Sequence, residues 1–451
     1  METRDEGGTA TQMHASYSQM EADAELAPSL PQKPSASKSS FLAPLRLANF
    51  RNLVAGQTVS RLGDAFYFLA IPWLVLNSTS SPIALSVVLG VSSATLGIST
   101  LAGGVLADRY GPRTLMIASD IARLLIITGM ATWALLGAIP FWAVVGLTGL
   151  LGLATGLFYP ASSAMPPYLV QSSDLQAANS FDQIAMQVSN FVGPGIAGAV
   201  LGATRLALGF VIDAATFVVS VISLIAIRMP SKGVSDSTPT ASSAPAQSAT
   251  RGGLSALGEG FRYLGATPFL LTMVLLSLMA NFAANGLFEV GLPLLLKQWV
   301  GLSDGPRAQG FILGGYGFGA IAGALVAGFT GHLRHKPLIA ILLLLPSAVL
   351  LGWVPFTHDV YLTTGLFVAF GVLIGCTNVM WITLIQRGIP KNMLGRIMSL
   401  AMLGSFIGTP LSIFAYGALA TVVPDVSLLF LAGAALFGIA GLIALTQKVM
   451  W

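Results

Sequence analysis

The chain has 451 residues, of which 54% are hydrophobic and only 9% charged, with a mean hydropathy of +0.79. An ordinary soluble domain carries ~25% charged residues, so this composition excludes a soluble globule and points to a chain solvated mostly by lipid. The net charge of +4 is spread through short loops rather than gathered on one face, which excludes a nucleic-acid partner.

The single Cys376 rules out a disulfide framework or a cysteine metal site within one chain. His14, His332, His335 and His358 fall in three separate polar stretches without ligand spacing, so no metal is expected. There is no Walker A pattern, hence no role for ATP, and no cofactor is implied.

Residues 1–48 are rich in Ser, Ala, Pro and Glu without helical or strand period, and read as a disordered cytoplasmic tail rather than a signal peptide. About twelve apolar runs of ~20 or more residues follow, each long enough to cross a bilayer as an α-helix. The first six span roughly 52–77, 83–107, 114–138, 141–165, 175–201 and 206–228, inside a six-helix bundle over 49–229. The second six span roughly 268–296, 308–330, 337–356, 360–386, 392–420 and 425–448, inside a second bundle over 267–451. Between them, 230–266 is a Ser/Ala/Pro/Thr-rich cytoplasmic linker, with a candidate amphipathic helix on Leu254, Leu257, Phe261 and Leu264.

Span one carries GQTVSRLGDAFYF. Arg61 and Asp64 are three apart, on one face and midway along the span, where an isolated charge costs at least ~2.5 to 3.5 kcal/mol. They are expected to face the bundle interior or each other. Gln57, Arg61, Tyr67 and Phe68 are candidate cavity residues beside Asp64.

Between spans two and three, the stretch GGVLADRYGPRTLM sets Gly104, Asp108, Arg109, Gly111 and Arg113 on a charged turn at a membrane face. In the pattern G-x-x-x-D-R-x-G-x-R this turn resembles the signature loop of the major facilitator superfamily. The resemblance implies an all-α membrane protein of twelve transmembrane helices in two six-helix pseudo-repeats. It further implies that Asp108 meets the positive end of a neighbouring helix. Arg109 and Arg113 would then pair with acidic residues, closing a cytoplasmic gate. Span one, with its S-R-x-G-D run, resembles the macrolide-efflux and enterobactin-exporter branch. By that resemblance Asp64 is the first candidate for a proton-coupling site. On span three, Asp120 and Arg123 either extend the gate or neutralise each other.

Span five brings Asp182, a further proton-coupling candidate, with Gln183, Gln187 and Asn190, ahead of Gly193, Pro194, Gly195 and Gly198. The last four resemble the exporters' antiporter motif, with Ala197 in place of one glycine, and imply a bend or a tight helix contact. Asp213 on span six reads as lying towards the outer side, as a rim charge, a partner for Arg205, or part of an outer gate. On span seven, Ser277, Asn281, Asn285 and Glu289 recur every four residues, a polar stripe suited to a water-filled cavity or to bonding between helices. Asn281, Phe282 and Asn285 are candidate substrate contacts, and Glu289 is a second proton-coupling candidate.

Two soluble-enzyme patterns are set aside. Gly317, Gly319 and Ala322 lie inside a span without a preceding strand, and Gly301, Ser303 and Gly305 lack one too. No enzymatic activity is expected. Lys and Arg concentrate in one set of loops, placing both termini and the linker inside a plasma or inner membrane. The combined expectation is a monomeric secondary transporter. It would exchange protons for a small amphipathic molecule by alternating access, amid membrane lipid. A lipid or lysophospholipid translocator and a transport-inactive sensor are the alternatives.

Overall fold

In the computed structural model the described residues are 42–137, 139–228, 262, 265–329, 336–388 and 391–446, with backbone only at 269, 336–337, 385–388 and 391–403. The N-terminal tail before residue 42, most of the linker with its amphipathic segment, and the loop at 330–335 lie outside them. The first six helices are α1 (Ala48–Thr79), α2 (Pro82–Tyr110), α3 (Pro112–Leu136), α4 (Phe141–Ala164), α5 (Leu175–Ala203) and α6 (Leu206–Ala226). The second set begins with α7 (Pro268–Gly286), a π-helical turn (Leu287–Gly291) and α8 (Leu292–Phe329). It continues with α9 (Lys336–Leu342), α10 (Leu344–Trp353), α11 (Val360–Gly388), α12 (Lys391–Val422) and α13 (Ser427–Thr446).

Among the described residues, eleven helices are long and apolar enough to cross a membrane. The longest, Leu270–Phe329, is interrupted at Gly301, whose φ of 76° belongs to the left-handed region that glycine tolerates. That break divides the run into spans seven and eight and brings the number to twelve. The outer connection read as a loop around residues 297–307 is therefore helical on both sides of one glycine. Spans elsewhere start and stop close to the apolar runs, because proline and glycine punctuate them. Ser81 caps α2 by accepting the Ala84 N–H at 3.3 Å, with Pro82 at the first helical position. Gly111 (φ 84°) ends α2, and Pro112 starts α3.

Packing repeats between the sets. In the first, α1 packs on α5 and α6, α2 on α4, and α3 on α6; in the second, α7 packs on α12 and α13, α8 on α11, and α10 on α13. Each pair has its counterpart six spans later, which is the two-fold pseudo-repeat. The tightest pairs rest on glycine. A Cβ at Gly152 or Gly156 would strike the Ser92 or Leu96 carbonyl of α2, and one at Gly319 or Gly323 the Val368 or Val372 carbonyl of α11. Gly319, part of the dinucleotide-like pattern, is thus a packing residue.

The two sets meet along two seams, α5 against α8 and α2 against α12. Close approaches on the first seam run from Gly202 at Arg307, through Gly198 at Gly310, to Gly317 at the Phe191 ring. On the second they run from Gly417 at Ser86, through Gly90 at Phe414, to Gly97 at Phe406. All lie between the middle of the helices and the end that carries Trp73, here the Trp73 end; the opposite face is the Asp108 end. Trp73 itself is fully buried, its ring over Gly305 and its indole N–H donating to Gln309 Oε1 at 2.5 Å.

Replacing Gly319 by Ala sets a methyl against backbone and should cost ~1–3 kcal/mol of stability, as overpacking does. Gly365→Ala meets nothing within 4 Å and should leave the thermal midpoint of the purified protein unchanged.

Candidate functional site

Away from the helix ends, the first bundle holds the carboxyls Asp64, Asp120, Asp182 and Asp213 and the guanidiniums Arg61 and Arg123. Four acids against two bases in a lipid-embedded bundle is an imbalance that structure must resolve.

Arg61 does not pair with Asp64, its neighbour on the same helix. It reaches across to α5, donating to Asp182 Oδ1 at 2.9 Å and to Gln57 Oε1 at 3.1 Å. Gln57 is held in turn by the Ser162 hydroxyl of α4 at 2.9 Å. Of the two arrangements the sequence left open, facing the bundle interior or each other, Arg61 and Asp64 do not adopt the second. A same-face position three residues along brings Cβ atoms near, but the long Arg61 side chain reaches the acid across the interface.

Asp120 and Arg123 do pair with each other, and both are buried, at 0% and 2% exposure. The Ser220 hydroxyl of α6 donates to the other Asp120 oxygen at 2.6 Å. The guanidinium lies between the rings of Phe158 and Phe217, 4.1 and 4.6 Å from their centroids. The pair sits in the interior of the bundle, joining α3, α4 and α6, and so does not extend a network at the membrane face. Burial of both partners makes it an internal fastening.

For Asp213, the structure excludes the rim charge that was one of three readings. The residue is 1% exposed, between α6 and α1, rather than on the outer rim, and neither carboxyl oxygen has a hydrogen-bond partner. Gly63 of α1 makes the room: a Cβ there would come 2.8 Å from Asp213 Oδ1. Asp64, half-buried on α1, also forms no hydrogen bond or ion pair among the described residues. Gln57, Arg61, Asp64 and Phe68 follow one another at three- and four-residue steps; Gln57 is buried at 3% exposure, Arg61 and Asp64 are half-buried, and Phe68 is 51% exposed. Tyr67 points away from that row and is buried edge-on against Phe210.

On α5 two faces separate. Ile184, Val188, Val192 and Ile196 form an exposed apolar stripe suited to lipid, while Gln183, Gln187 and Asn190 form an exposed polar one beside it. The polar stripe belongs in water, in the part of the molecule beyond the closed seam. Gly193 packs on Ala65 of α1 and Gly198 on Gly310 of α8, so the Gly-Pro segment, with Pro194 inside α5, serves close contact on both sides.

The α7 stripe is built of side chains that bond back along their own helix. Asn281 Nδ2 donates to the Ser277 carbonyl at 2.8 Å, and Asn285 Nδ2 to the Asn281 carbonyl at 2.9 Å and to Thr409 of α12 at 3.4 Å. Asn285 is therefore in part a bond between helices. A break follows. The Ser412 hydroxyl of α12 accepts the Gly286 N–H at 2.8 Å and donates to the Phe282 carbonyl. That inserts it into what would be an i→i−4 backbone bond, and the π-helical turn begins at the next residue. Glu289 lies within the turn, so the strict four-residue register stops at Asn285. Glu289 is half-buried without a hydrogen bond or ion pair among the described residues. Beside the stripe is a cavity of about 140 Å³, its walls including Ser277, Asn281, Tyr316, Phe370, Asn378 and Trp381. Phe282 is half-buried next to it in sequence.

At the Asp108 end, Arg113 donates to the Leu224 and Ile225 carbonyls at 3.0 and 2.9 Å, capping the C-terminus of α6. This differs from pairing with an acid: the nearest acceptors are unsatisfied helix-end carbonyls. Arg109 is exposed and stacks on Tyr110, and Asp108 is exposed without an ion pair among the described residues. Gly104 and Gly111 face open space. Among the described residues, then, Asp108 and Arg109 make no ion pair at this face.

Three features escaped the sequence reading: the Trp73–Gln309 closure, the Ser412 insertion, and the isolation of Asp213. Polar residues within apolar spans were the available signal for Gln309, Ser412 and Asp213.

With a doubly repeated twelve-span bundle, paired seams and an interior charge cluster in place, the class is that of a multi-pass membrane transporter, not an enzyme. The sequence pattern of the Major Facilitator Superfamily matches residues 53–413, and the chain belongs to that family. It is 24% identical to the multidrug efflux pump Tap of Mycolicibacterium fortuitum over 84% of this chain and 89% of that protein. It is likewise 24% identical to the enterobactin exporter EntS of Escherichia coli, over 80% and 83%. The same fold occurs in a bacterial homologue of the human lysosomal transporter Spinster in an inward-facing, occupied conformation. That likeness has a TM-score of 0.67 at 13% identity and covers 90% of this chain and 98% of that one.

Arg123→Leu leaves the buried Asp120 uncompensated and should destabilise by ~3–5 kcal/mol, whereas Asp120→Asn together with Arg123→Leu should recover much of that loss. Thermal unfolding of the purified variants checks both.

Proposed function

We propose that the protein exports small amphipathic molecules, of the drug, macrolide or siderophore type, across the plasma or inner membrane in exchange for protons. The observation that carries this reading is the combination of a closed Trp73 end with polar side chains beyond the seam, exposed on α5, half-buried at Arg61 and Asp64 of α1, and exposed at Asn281 of α7. We read those side chains as the walls of one space, with substrate held between them. The asymmetry of loop charges supports an inside position for the Asp108 end, and on that reading substrate enters there, from the cytoplasm or inner leaflet. Asp64, free of Arg61, is the acid positioned to meet a cationic group, and Glu289 offers a second on the facing bundle. The activities named for Tap and EntS support export.

In the cycle, Asp108 latches as the inner side closes, the glycine seams part at the outer side, and protonation of the acids releases substrate. The protein works as a monomer in lipid, without ATP or other cofactor. The 49–229 and 267–451 bundles rock about the site, joined by the 230–266 linker.

A second reading, lipid translocation, is favoured by an apolar groove of about 520 Å³ along the α5–α8 seam, bordered by Phe191, Ile196, Phe311 and Phe318. Phospholipid should then compete with drugs.

Reconstituted vesicles with an imposed pH gradient decide the matter, assayed with ethidium and macrolides. Gradient-driven flux should be present in wild type and fall to the protein-free background in Asp64→Asn, Glu289→Gln or both. Flux that ignores the gradient, or survives both substitutions, contradicts proton exchange.

A further inference from the structure

Two carboxyls of the first bundle have no cation left. Arg61 is committed to Asp182 and Arg123 to Asp120, so Asp64 and Asp213 stand without an ion pair or hydrogen bond. They differ in access. Asp64 is half-buried on α1, one turn from exposed Phe68, whereas Asp213 is enclosed between α1 and α6. The titratable groups near enough to act on Asp213 electrostatically are few: Asp64 and Tyr67 of α1 and Arg123 of α3, beside Thr216 on its own helix. The Thr216 hydroxyl is already spent on the Asp213 main-chain carbonyl at 2.7 Å. With only 1% of Asp213 exposed, a hydrated cation or substrate has no room to reach its carboxyl. A proton can reach it.

We propose that Asp213 is the proton store of the exchange, passing its proton to Asp64, the acid that meets substrate. This rests on the export reading above and assigns its proton to a residue. In the step, the Asp213 O–H bond breaks and an O–H bond forms on the Asp64 carboxylate, leaving Asp213 to be refilled from the outer side. When a cationic group then settles against Asp64 from the inside, the Asp64 proton leaves to the cytoplasm, so charge is conserved as substrate and proton move in opposite directions. Gly63 is the device that permits the arrangement. Its missing side chain lets the Asp213 carboxyl lie against α1 one residue from Asp64.

The test uses the reconstituted full chain and two readouts. First, difference infrared spectra across a pH step, without substrate, should show the band of a buried protonated carboxyl in wild type. The band should be lost in Asp213→Asn and retained in Asp64→Asn. Second, in vesicles with ethidium, Asp213→Asn should lose gradient-driven accumulation while ethidium counterflow continues. Asp64→Asn should lose both, and Asp213→Glu should recover part of the accumulation. Asp213→Ala, which removes the carboxyl without putting an amide in its place, serves if the amide prevents folding. An infrared band that survives removal of Asp213, or undiminished gradient-driven accumulation in Asp213→Asn, overturns the proposal. Should wild type carry no ethidium, the export reading fails for that substrate. The infrared result then still upholds or rejects Asp213 as the proton store.

Discussion

In lipid a charge without a partner has nowhere to go, and an uncompensated one at mid-membrane costs at least ~2.5 to 3.5 kcal/mol. The first bundle meets this constraint with two guanidiniums for four carboxyls, and the way the two are spent orders the site. Arg123, wedged between two aromatic rings, is fixed to Asp120 and fastens three helices. Arg61 binds Asp182 and fastens α1 to α5. What remains is Asp64 facing the polar stripe and Asp213 behind it. The second bundle has no such cluster among its described residues; Glu289 is its lone interior acid, on a helix opened by Ser412.

A second constraint is that backbones in lipid associate by close packing, because apolar burial gains nothing against apolar solvent. Glycines therefore mark both the permanent contacts and the movable ones. Within each bundle they sit under neighbouring carbonyls, as Gly152 and Gly319 do. Across the seams Gly198 and Gly310 bring two backbones together, and Gly305 receives Trp73. Among the described residues, contacts of the second kind bury no ion pair and few hydrogen bonds, so they can part without leaving a charge stranded. A carrier that alternates needs seams of that type.

Much of this was legible in the sequence. Twelve spans, the halves and the charged turn followed from apolar run length, the composition of 230–266, and the D-R-x-G-x-R spacing. The stripe of Ser277, Asn281 and Asn285 was legible because a regular helix keeps its register. Partner choice was not. Sequence spacing put Arg61 beside Asp64, yet the salt bridge crosses to another helix, and Asp213 was left between a rim charge, a partner for Arg205 and an outer gate because the helix that encloses it is distant in sequence. The π-helical turn was hidden for the same reason: its cause, Ser412, sits on α12, more than a hundred residues from the backbone bond it enters.

Central to the account is that closure at the Trp73 end and at the Asp108 end are alternatives. Spin labels in a Cys376→Ser background report this directly by electron–electron double resonance. One pair, Ser80→Cys with Thr421→Cys, spans the Trp73 end; another, Gln171→Cys with Thr446→Cys, spans the opposite end. As pH is lowered or ethidium added, the first distance should lengthen in the same population whose second distance shortens. Distances that stay fixed under every condition, or that lengthen and shorten together, would contradict alternating access about this site.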